Sequence, residues 1–256
     1  MDEKLSDKDY RAIDCESFSS IKYILDSPLE YYRQKATPFK GNSATDLGTA
    51  VHHYLQGNRH LVAVNPFKTT ASPGFDEWKV EFIAKVGDEG IIITKSAEEK
   101  VNAIMTNFNA NPFAIQLMEE SEHEVPFFFE YNGVKMKGKV DGFTKGLKRV
   151  VEIKTTGSCE DAWSFKQNAV IAKHYDMQAY GYISGLGFSN EQFELKEIKH
   201  YFISCLTKPP YSVTVYPLSV ESFHRGENKL LRATSDYKRY IINKEEFTPE
   251  PILEEV

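Results

Sequence analysis

The spacing of apolar residues predicts helices in the first part of the chain. Residues 17–20 offer N-caps, and apolar residues then recur near the helical period until Pro28 interrupts them: Ile21, Ile24, Leu25 and Leu29. After a polar loop over 36–45, Asp46 can cap a helix with one apolar face: Leu47, Val51, Tyr54 and Leu55. Residues 97–108 predict a further helix. We therefore expect a helical lead-in over residues 1–45.

Alternating apolar and polar residues predict strands in the middle of the chain. Segments 124–131 and 134–143 are joined by Asn132-Gly133, a strong hairpin signal, and 149–155 follows after a turn. We expect three consecutive antiparallel strands. A helix over 173–186 that ends at Gly185 and Gly187, strands over 197–206 and 213–216, and a long helix over 219–242 complete the pattern. Signals over 65–90 are mixed.

Composition is that of an ordinary folded protein. The 256 residues allow one large domain, and the 41% hydrophobic and 27% charged fractions are near average. The chain has no apolar run of about 18 residues and its N-terminus lacks a signal-peptide core, so we expect a cytoplasmic protein with no membrane association. We expect a single domain over 1–256, with its core at 46–242 and a flexible tail at 243–256.

The net charge and the cysteines make several classes of protein improbable. Lysine and arginine number 31 against 37 acidic residues, a net charge of -6, so any contact with a polyanion must be local. Cys15, Cys159 and Cys205 are scattered, which argues against a disulfide framework, a zinc knuckle or a four-cysteine Fe–S cluster. No Walker loop is present, so we expect neither an ATP-driven helicase nor a nucleotide cofactor.

Two predicted strands carry candidate catalytic residues. Alternation places Asp141 on one face with three lysines, and places Glu152 and Lys154 together on the next strand. Mg²⁺ prefers carboxylate oxygens, and a nearby ammonium can stabilise negative charge on a phosphate. The Ile153 carbonyl is a candidate further ligand. The trio fits metal-assisted phosphodiester hydrolysis.

Spacing alone leaves a structural alternative open. The Glu-x-Lys tripeptide also begins at five other positions: Glu77, Glu98, Glu194, Glu197 and Glu227. Asp141-Gly142 is equally typical of a turn, and Glu152 with Lys154 of a surface ion pair.

Three helical patterns extend the candidate site, and each also has a plain structural interpretation. Gly48 and His52 lie one turn apart, where a glycine permits close packing and an imidazole can reach a metal, although most single helical histidines are not ligands. Tyr175, Gln178 and Tyr182 share one face, which can also be a core edge. A basic stripe on the last helix can follow a DNA backbone or be a solvated face: Arg225, Lys229, Arg232 and Arg239.

The order of these motifs resembles the PD-(D/E)XK nuclease superfamily, and within it the RecB-like branch and the RecE-type exonucleases (exonuclease VIII) of phage and prophage origin. The resemblance spans about residues 7–242 and rests on four motifs: Gly48-Thr49-x-x-His52, Gly138-x-x-Asp141, Glu152-Ile153-Lys154 and Gln178-x-x-x-Tyr182. Val140 stands where the superfamily name has a proline. Neighbouring branches often hold an Fe–S cluster on four cysteines, which the three scattered cysteines do not match.

The resemblance implies a fold and a site. The fold is α/β with a restriction-endonuclease-like core, in which a mixed central β-sheet is flanked by helices after a helical lead-in and before a long C-terminal helix. Asp141 and Glu152, with His52 as an additional ligand, are implied to bind Mg²⁺ or Mn²⁺, and Lys154 is the implied catalytic lysine. Gln178 and Tyr182 form the supporting motif, and Glu124 matches a further acidic position.

The resemblance also implies an activity. We expect a metal-dependent deoxyribonuclease that resects linear double-stranded DNA from its ends in the 5′-to-3′ direction and leaves 3′ single strands for a single-strand annealing recombinase. A ring-shaped homo-oligomer is implied as well. Two alternatives remain open: a structure-specific or site endonuclease or repair nuclease of the same superfamily, and a catalytically inactive DNA-binding module.

Overall fold

The strands of the protein form one large and one small sheet. A computed structural model describes residues 5–37, 41–189 and 195–247. The strands are β1 (Glu16–Ser17), β2 (Val62–Val64), β3 (Ile91–Ile93), β4 (Glu122–Tyr131), β5 (Val134–Thr144), β6 (Arg149–Thr156), β7 (Lys199–Leu206) and β8 (Val213–Pro217). Strands β2 and β3 pair in parallel as a separate two-stranded sheet.

The main sheet has six strands and mixed direction. Strand β4 pairs antiparallel with β5 along its length, from Glu122↔Phe143 to Tyr131↔Val134. The other side of β5 is shared by β1, which is parallel, and β6, which is antiparallel. Strand β7 runs parallel to β6, and β8 runs antiparallel to β7. The predicted run of three antiparallel strands is therefore confirmed, although β5 and β6 pair over a short stretch only.

Helices cover both faces of this sheet. They are α1 (Asp7–Ala12), α2 (Phe18–Ile21), α3 (Pro28–Ala36), α4 (Ser43–Leu55), α5 (Phe75–Val86), α6 (Lys95–Asn109), α7 (Pro112–Glu119), α8 (Ala162–Phe165), α9 (Tyr175–Ser189) and α10 (Val220–Asp236). One core joins α2, α9 and α10 to the sheet, and a second joins α4, α6 and α7 to its opposite face. This is the predicted α/β architecture with a mixed central sheet between helices.

The start of α4 and the end of α9 differ from the predictions. Helix α4 begins at Ser43 because the Asn42 side chain, rather than Asp46, accepts the hydrogen bonds of the first turn. Helix α9 continues through Gly185 and Gly187 to Ser189. A Cβ atom at Gly185 would lie 2.3 Å from the Phe127 ring, so this glycine permits close helix-to-strand packing instead of ending the helix.

Other segments complete the comparison. Pro28 is the first residue of α3, with Ser27 as its cap, so the proline starts a helix where we expected an interruption. The unassigned stretch 65–90 contains α5. Of the predicted tail at 243–256, residues 248–256 lie outside the described residues. Within the described ranges, no helix combines the length and apolar character needed to cross a membrane.

Candidate active site

The candidate site lies where β5 and β6 separate. Regular pairing between the two strands stops at Gly142↔Val151. At the next position, Asp141 Oδ2 accepts a hydrogen bond from the Ile153 N–H at 2.7 Å, and Glu152 Oε1 accepts one from the Asp141 N–H at 3.3 Å. Carboxylates thus replace main-chain ladder bonds. Because the N–H and C=O of a strand residue share one side, the Ile153 carbonyl faces the same gap.

Helix α9 fixes the lysine of this site. Lys154 Nζ donates to Glu152 Oε2 at 2.8 Å and to Gln178 Oε1 at 3.0 Å. It also lies 4.6 Å from the centre of the Tyr175 ring. The Gln178 amide in turn donates to the Tyr182 hydroxyl at 2.8 Å. The helix face predicted from the sequence therefore contacts the lysine directly.

Helix α4 brings a histidine from the other side of the sheet. His52 Nδ1 lies 3.4 Å from Asp141 Oδ1. One turn earlier, a Cβ atom at Gly48 would lie 3.1 Å from Thr155 Oγ1, so the glycine lets α4 pack tightly against β6. The glycine and histidine at this spacing place the imidazole beside Asp141.

A third carboxylate, Glu124, joins the histidine and Asp141. Glu124 is opposite Asp141 in the register of β4 and β5, which runs from His123↔Gly142 to Val125↔Val140. One ligand atom from each of His52, Glu124 and Asp141 lies within 4.8 Å of the other two. The sequence placed Glu124 only at the start of a predicted strand, whereas the structure places its carboxylate beside His52 and Asp141.

Burial and charge together set the protonation of the site. Burial opposes ionisation of Asp141, but His52, Lys154 and the Ile153 N–H outweigh it and lower the pKa of Asp141. Burial, together with the negative charge of Asp141, raises the pKa of Glu152 to about 7 although Lys154 opposes this shift. Burial likewise disfavours charge on Lys154 and His52, yet the adjacent carboxylates raise the pKa of both. The cations and Asp141 therefore stabilise one another's charge, whereas burial and Asp141 favour the neutral form of Glu152.

The donor set fits a hard divalent cation. Carboxylate oxygens are the ligands that suit Mg²⁺ and Mn²⁺, and imidazole is a common metal ligand in general. At metal-to-ligand distances of about 2.0–2.1 Å, opposite ligands are about 4.2 Å apart, so small side-chain movements suffice for the cluster of His52, Glu124 and Asp141. Glu152 and the Ile153 carbonyl lie beside this cluster as further candidates. These are the residues that could hold the metal.

Comparison with known proteins identifies the family of the chain. The family model described as "PDDEXK-like domain of unknown function (DUF3799)" matches residues 17–251. The chain belongs to this family. No curated protein matches the sequence.

Among solved structures, the PDDEXK-like domain has the fold of a "Putative exonuclease" from Eubacterium rectale. The TM-score is 0.65 with 12% sequence identity, covering 97% of this chain and 96% of that chain. A phage-related exonuclease from Haemophilus somnus 129PT gives a TM-score of 0.34 with 10% identity, covering 83% of this chain and 100% of that chain. The first similarity supports the fold, and the second is too low to support an argument.

The predicted basic stripe of the PDDEXK-like domain has acidic partners within the chain. Arg225 and Lys229 both bind Asp176, a side chain with 0% exposure, at 2.5 and 3.0 Å. The other two members contact the nearby acids Asp236 and Glu245: Arg232 and Arg239. The stripe is therefore not an open row of cations, because at least two of its charges neutralise a buried carboxylate.

A large cavity adjoins the candidate site of the domain. Its volume is about 1390 Å³, and Gln178 and Tyr182 form part of its wall. Residues 10–20 and 137–139 line other parts of it, together with Lys22 and Lys35. Lys137 itself is buried and donates to three main-chain carbonyls at the end of α1, so it fixes the lead-in rather than facing a ligand. The lead-in thus forms a wall of the cavity next to Lys154.

Proposed function

We propose that this domain is a divalent-metal-dependent deoxyribonuclease that hydrolyses the phosphodiester bonds of linear double-stranded DNA. One observation carries the proposal: the ligand atoms of His52, Glu124 and Asp141 cluster within 4.8 Å of one another where two strands separate. The Lys154 ammonium is bound to Glu152, whose other carboxylate oxygen accepts a hydrogen bond from the Asp141 N–H. Membership of a PDDEXK-like family supports the same conclusion.

The residues divide the chemistry between them. His52, Glu124, Asp141, Glu152 and the Ile153 carbonyl would hold Mg²⁺ or Mn²⁺. When bound, such a cation polarises a phosphate oxygen and lowers the pKa of a water molecule.

Lys154 has the second role. Its ammonium is fixed by Glu152, Gln178 and the Tyr175 ring, so little reorganisation is needed to stabilise negative charge on the phosphate. Tyr182 holds the Gln178 amide in the orientation that accepts from the lysine. Gln178 and Tyr182 thus act through Lys154.

The finer parts of the proposal concern the DNA and the assembly. We propose RecE-like resection from a DNA end, in the 5′-to-3′ direction, with a 3′ single strand as product for an annealing recombinase, and a ring-shaped homo-oligomer that surrounds the duplex. The resemblance of the ordered motifs supports these points. The cavity that the lead-in borders has Gln178 and Tyr182 in its wall, and it offers space for a DNA strand next to this supporting motif.

A single comparison of substrates tests the activity. Linear duplex labelled at the 5′ or the 3′ end, and closed circular plasmid, are incubated with Mg²⁺, Mn²⁺ or EDTA. The proteins are the wild type, Lys154→Met and the matched control Lys166→Met, whose lysine binds Glu221 on the surface. We expect metal-dependent loss of the linear DNA alone, slowed about 100-fold or more by Lys154→Met and unchanged in the control. Nicking of the circle would indicate an endonuclease, and no cleavage of either DNA would refute the nuclease.

A further inference from the structure

Glu124 has a main-chain conformation that is unusual for a strand residue. Its φ is 57°, in the left-handed region that side chains other than glycine rarely adopt, although its neighbours on both sides pair with β5. Such conformations persist only where surrounding contacts determine them. The contacts around Glu124, including those of its carboxylate, therefore hold it in this conformation.

Two side chains hold this carboxylate, one at each oxygen. Gln56 Nε2 donates to Glu124 Oε1 at 2.8 Å. Lys139 Nζ forms an ion pair with Glu124 Oε2. The first partner is a neutral amide and the second a cation, so they respond differently to an added metal ion.

Gln56 is positioned by the same helix that carries the histidine. It lies four residues after His52, at the C-cap of α4, and only 9% of it is exposed. Its amide also reaches the main-chain oxygen of Asp141 at 3.4 Å. Residues four apart share a helix face, so His52 contacts Asp141 and Gln56 contacts Glu124 from the same side of α4.

We propose that Gln56 is a positioning residue that holds Glu124 toward His52 and Asp141, and that Lys139 balances the charge of Glu124 while no divalent cation is bound. The proposal rests on the proposed function, because it concerns the same metal-dependent site. A neutral amide can keep its hydrogen bond when a cation arrives, and it then orients the ligand for that cation. An ammonium repels the arriving cation and competes with it for the carboxylate. Lys139 borders the cavity, where its ammonium can bind a substrate phosphate instead of Glu124.

We therefore expect replacement of Gln56 and replacement of Lys139 to change the Mn²⁺ affinity in opposite directions. Gln56→Met removes the amide from the buried contact and should weaken Mn²⁺ binding about 10–100-fold, the usual cost of losing a hydrogen bond that orients a ligand. Lys139→Met removes the competing charge and should tighten Mn²⁺ binding about fivefold, near the upper value of a partly exposed ion pair. A loss of packing alone would not reverse sign between the two variants.

The test is a Mn²⁺ titration without DNA, in which electron paramagnetic resonance measures free Mn²⁺. Gln116→Met is the matched control, because Gln116 also donates to a glutamate at 2.8 Å but lies on α7, which carries none of the candidate site residues. Thermal unfolding in EDTA checks that each variant is folded. If Gln56→Met does not fold, Gln56→Asn keeps the amide and is too short to reach Glu124.

Nuclease activity as a function of Mn²⁺ gives the second readout. For Gln56→Met, we expect the Mn²⁺ concentration for half-maximal activity to rise while the rate at saturating Mn²⁺ stays near that of the wild type. Wild-type Mn²⁺ affinity in the folded Gln56 variants would overturn the inference. If the Mn²⁺ affinity shifts in opposite directions in Gln56→Met and Lys139→Met but the protein cleaves no DNA, the inference is supported and only the proposed function is refuted.

Discussion

Replacing Asp176 by asparagine tests whether the basic residues of α10 serve stability. The Asp176 carboxylate has 0% exposure and binds Arg225 Nε at 2.5 Å and Lys229 Nζ at 3.0 Å. It also accepts a hydrogen bond from the Met177 N–H at 2.8 Å. Asp176→Asn keeps the shape of the side chain but leaves two cations beside a buried neutral amide.

The cost follows from the burial of the cluster. Breaking a buried ion pair by removing one partner typically costs about 3–5 kcal/mol. Arg225 and Lys229 retain 23% and 19% of their side-chain exposure, so water still solvates them in part. We therefore expect the lower value, about 3 kcal/mol, which for a domain of this size lowers the melting temperature by about 6–12 °C.

Urea and thermal unfolding in EDTA, followed by circular dichroism, measure this change. The matched control is Glu245→Gln, since Glu245 is 46% exposed and binds Arg239 at the surface. The control should lose at most about 1 kcal/mol. The reasoning is wrong if Asp176→Asn costs no more than Glu245→Gln.

DNA binding separates this role from the predicted basic stripe. A lysine that contacts a DNA phosphate contributes about one unit to the slope of log affinity against log salt concentration. Because Asp176 already neutralises Lys229, we expect Lys229→Met to destabilise the fold and leave that slope unchanged. A slope reduced by about one unit would instead favour the stripe as a DNA contact.

Three further outcomes are expected. Burial, followed by the charge of Lys154, lowers the pKa of His200 from 6.5 to about 3, so the neutral His200 stabilises the fold fully above pH 6.5 and less as the pH falls. The free energy of unfolding should therefore fall between pH 7 and pH 5, and this fall should be about 2 kcal/mol smaller in His200→Leu. Gly226→Ala should cost about 1–3 kcal/mol in urea unfolding, because its Cβ would lie 2.2 Å from the Asp176 carbonyl oxygen, whereas Gly146→Ala in open space should be neutral. Mn²⁺ at about 100 times its dissociation constant should stabilise the wild type by about 2.7 kcal/mol in thermal unfolding, and Asp141→Asn should lose most of this gain.

Local sequence patterns were sufficient to place several candidate residues next to one another. Alternation over β4 and β5, with the Asn132-Gly133 turn, predicted the hairpin, and alternation over β6 placed Glu152 and Lys154 on one face. Helical spacing likewise placed Gln178 and Tyr182 on one face. These predictions succeeded because strand and helix periods are properties of neighbouring residues.

Partners that are distant in sequence were not accessible to those patterns. The contact of Gln56 with Glu124 was not predicted, because a glutamine at a helix end is usually solvated. Its spacing of four residues from His52 was the signal that could have indicated it. The contact between Glu124 and Gln56 depends on how α4 docks against β4.

The sequence by itself determined which residues carry charge and which share an element face. It determined neither how far β5 and β6 separate nor which acid each cation contacts, because both depend on helix and strand packing across long stretches of chain. Lys229 shows the difference: its periodicity indicated an exposed basic stripe, whereas the packing of α10 against α9 directs it to the buried Asp176. Pairing a buried carboxylate costs less than leaving it alone, so the tertiary structure decided the role of that lysine.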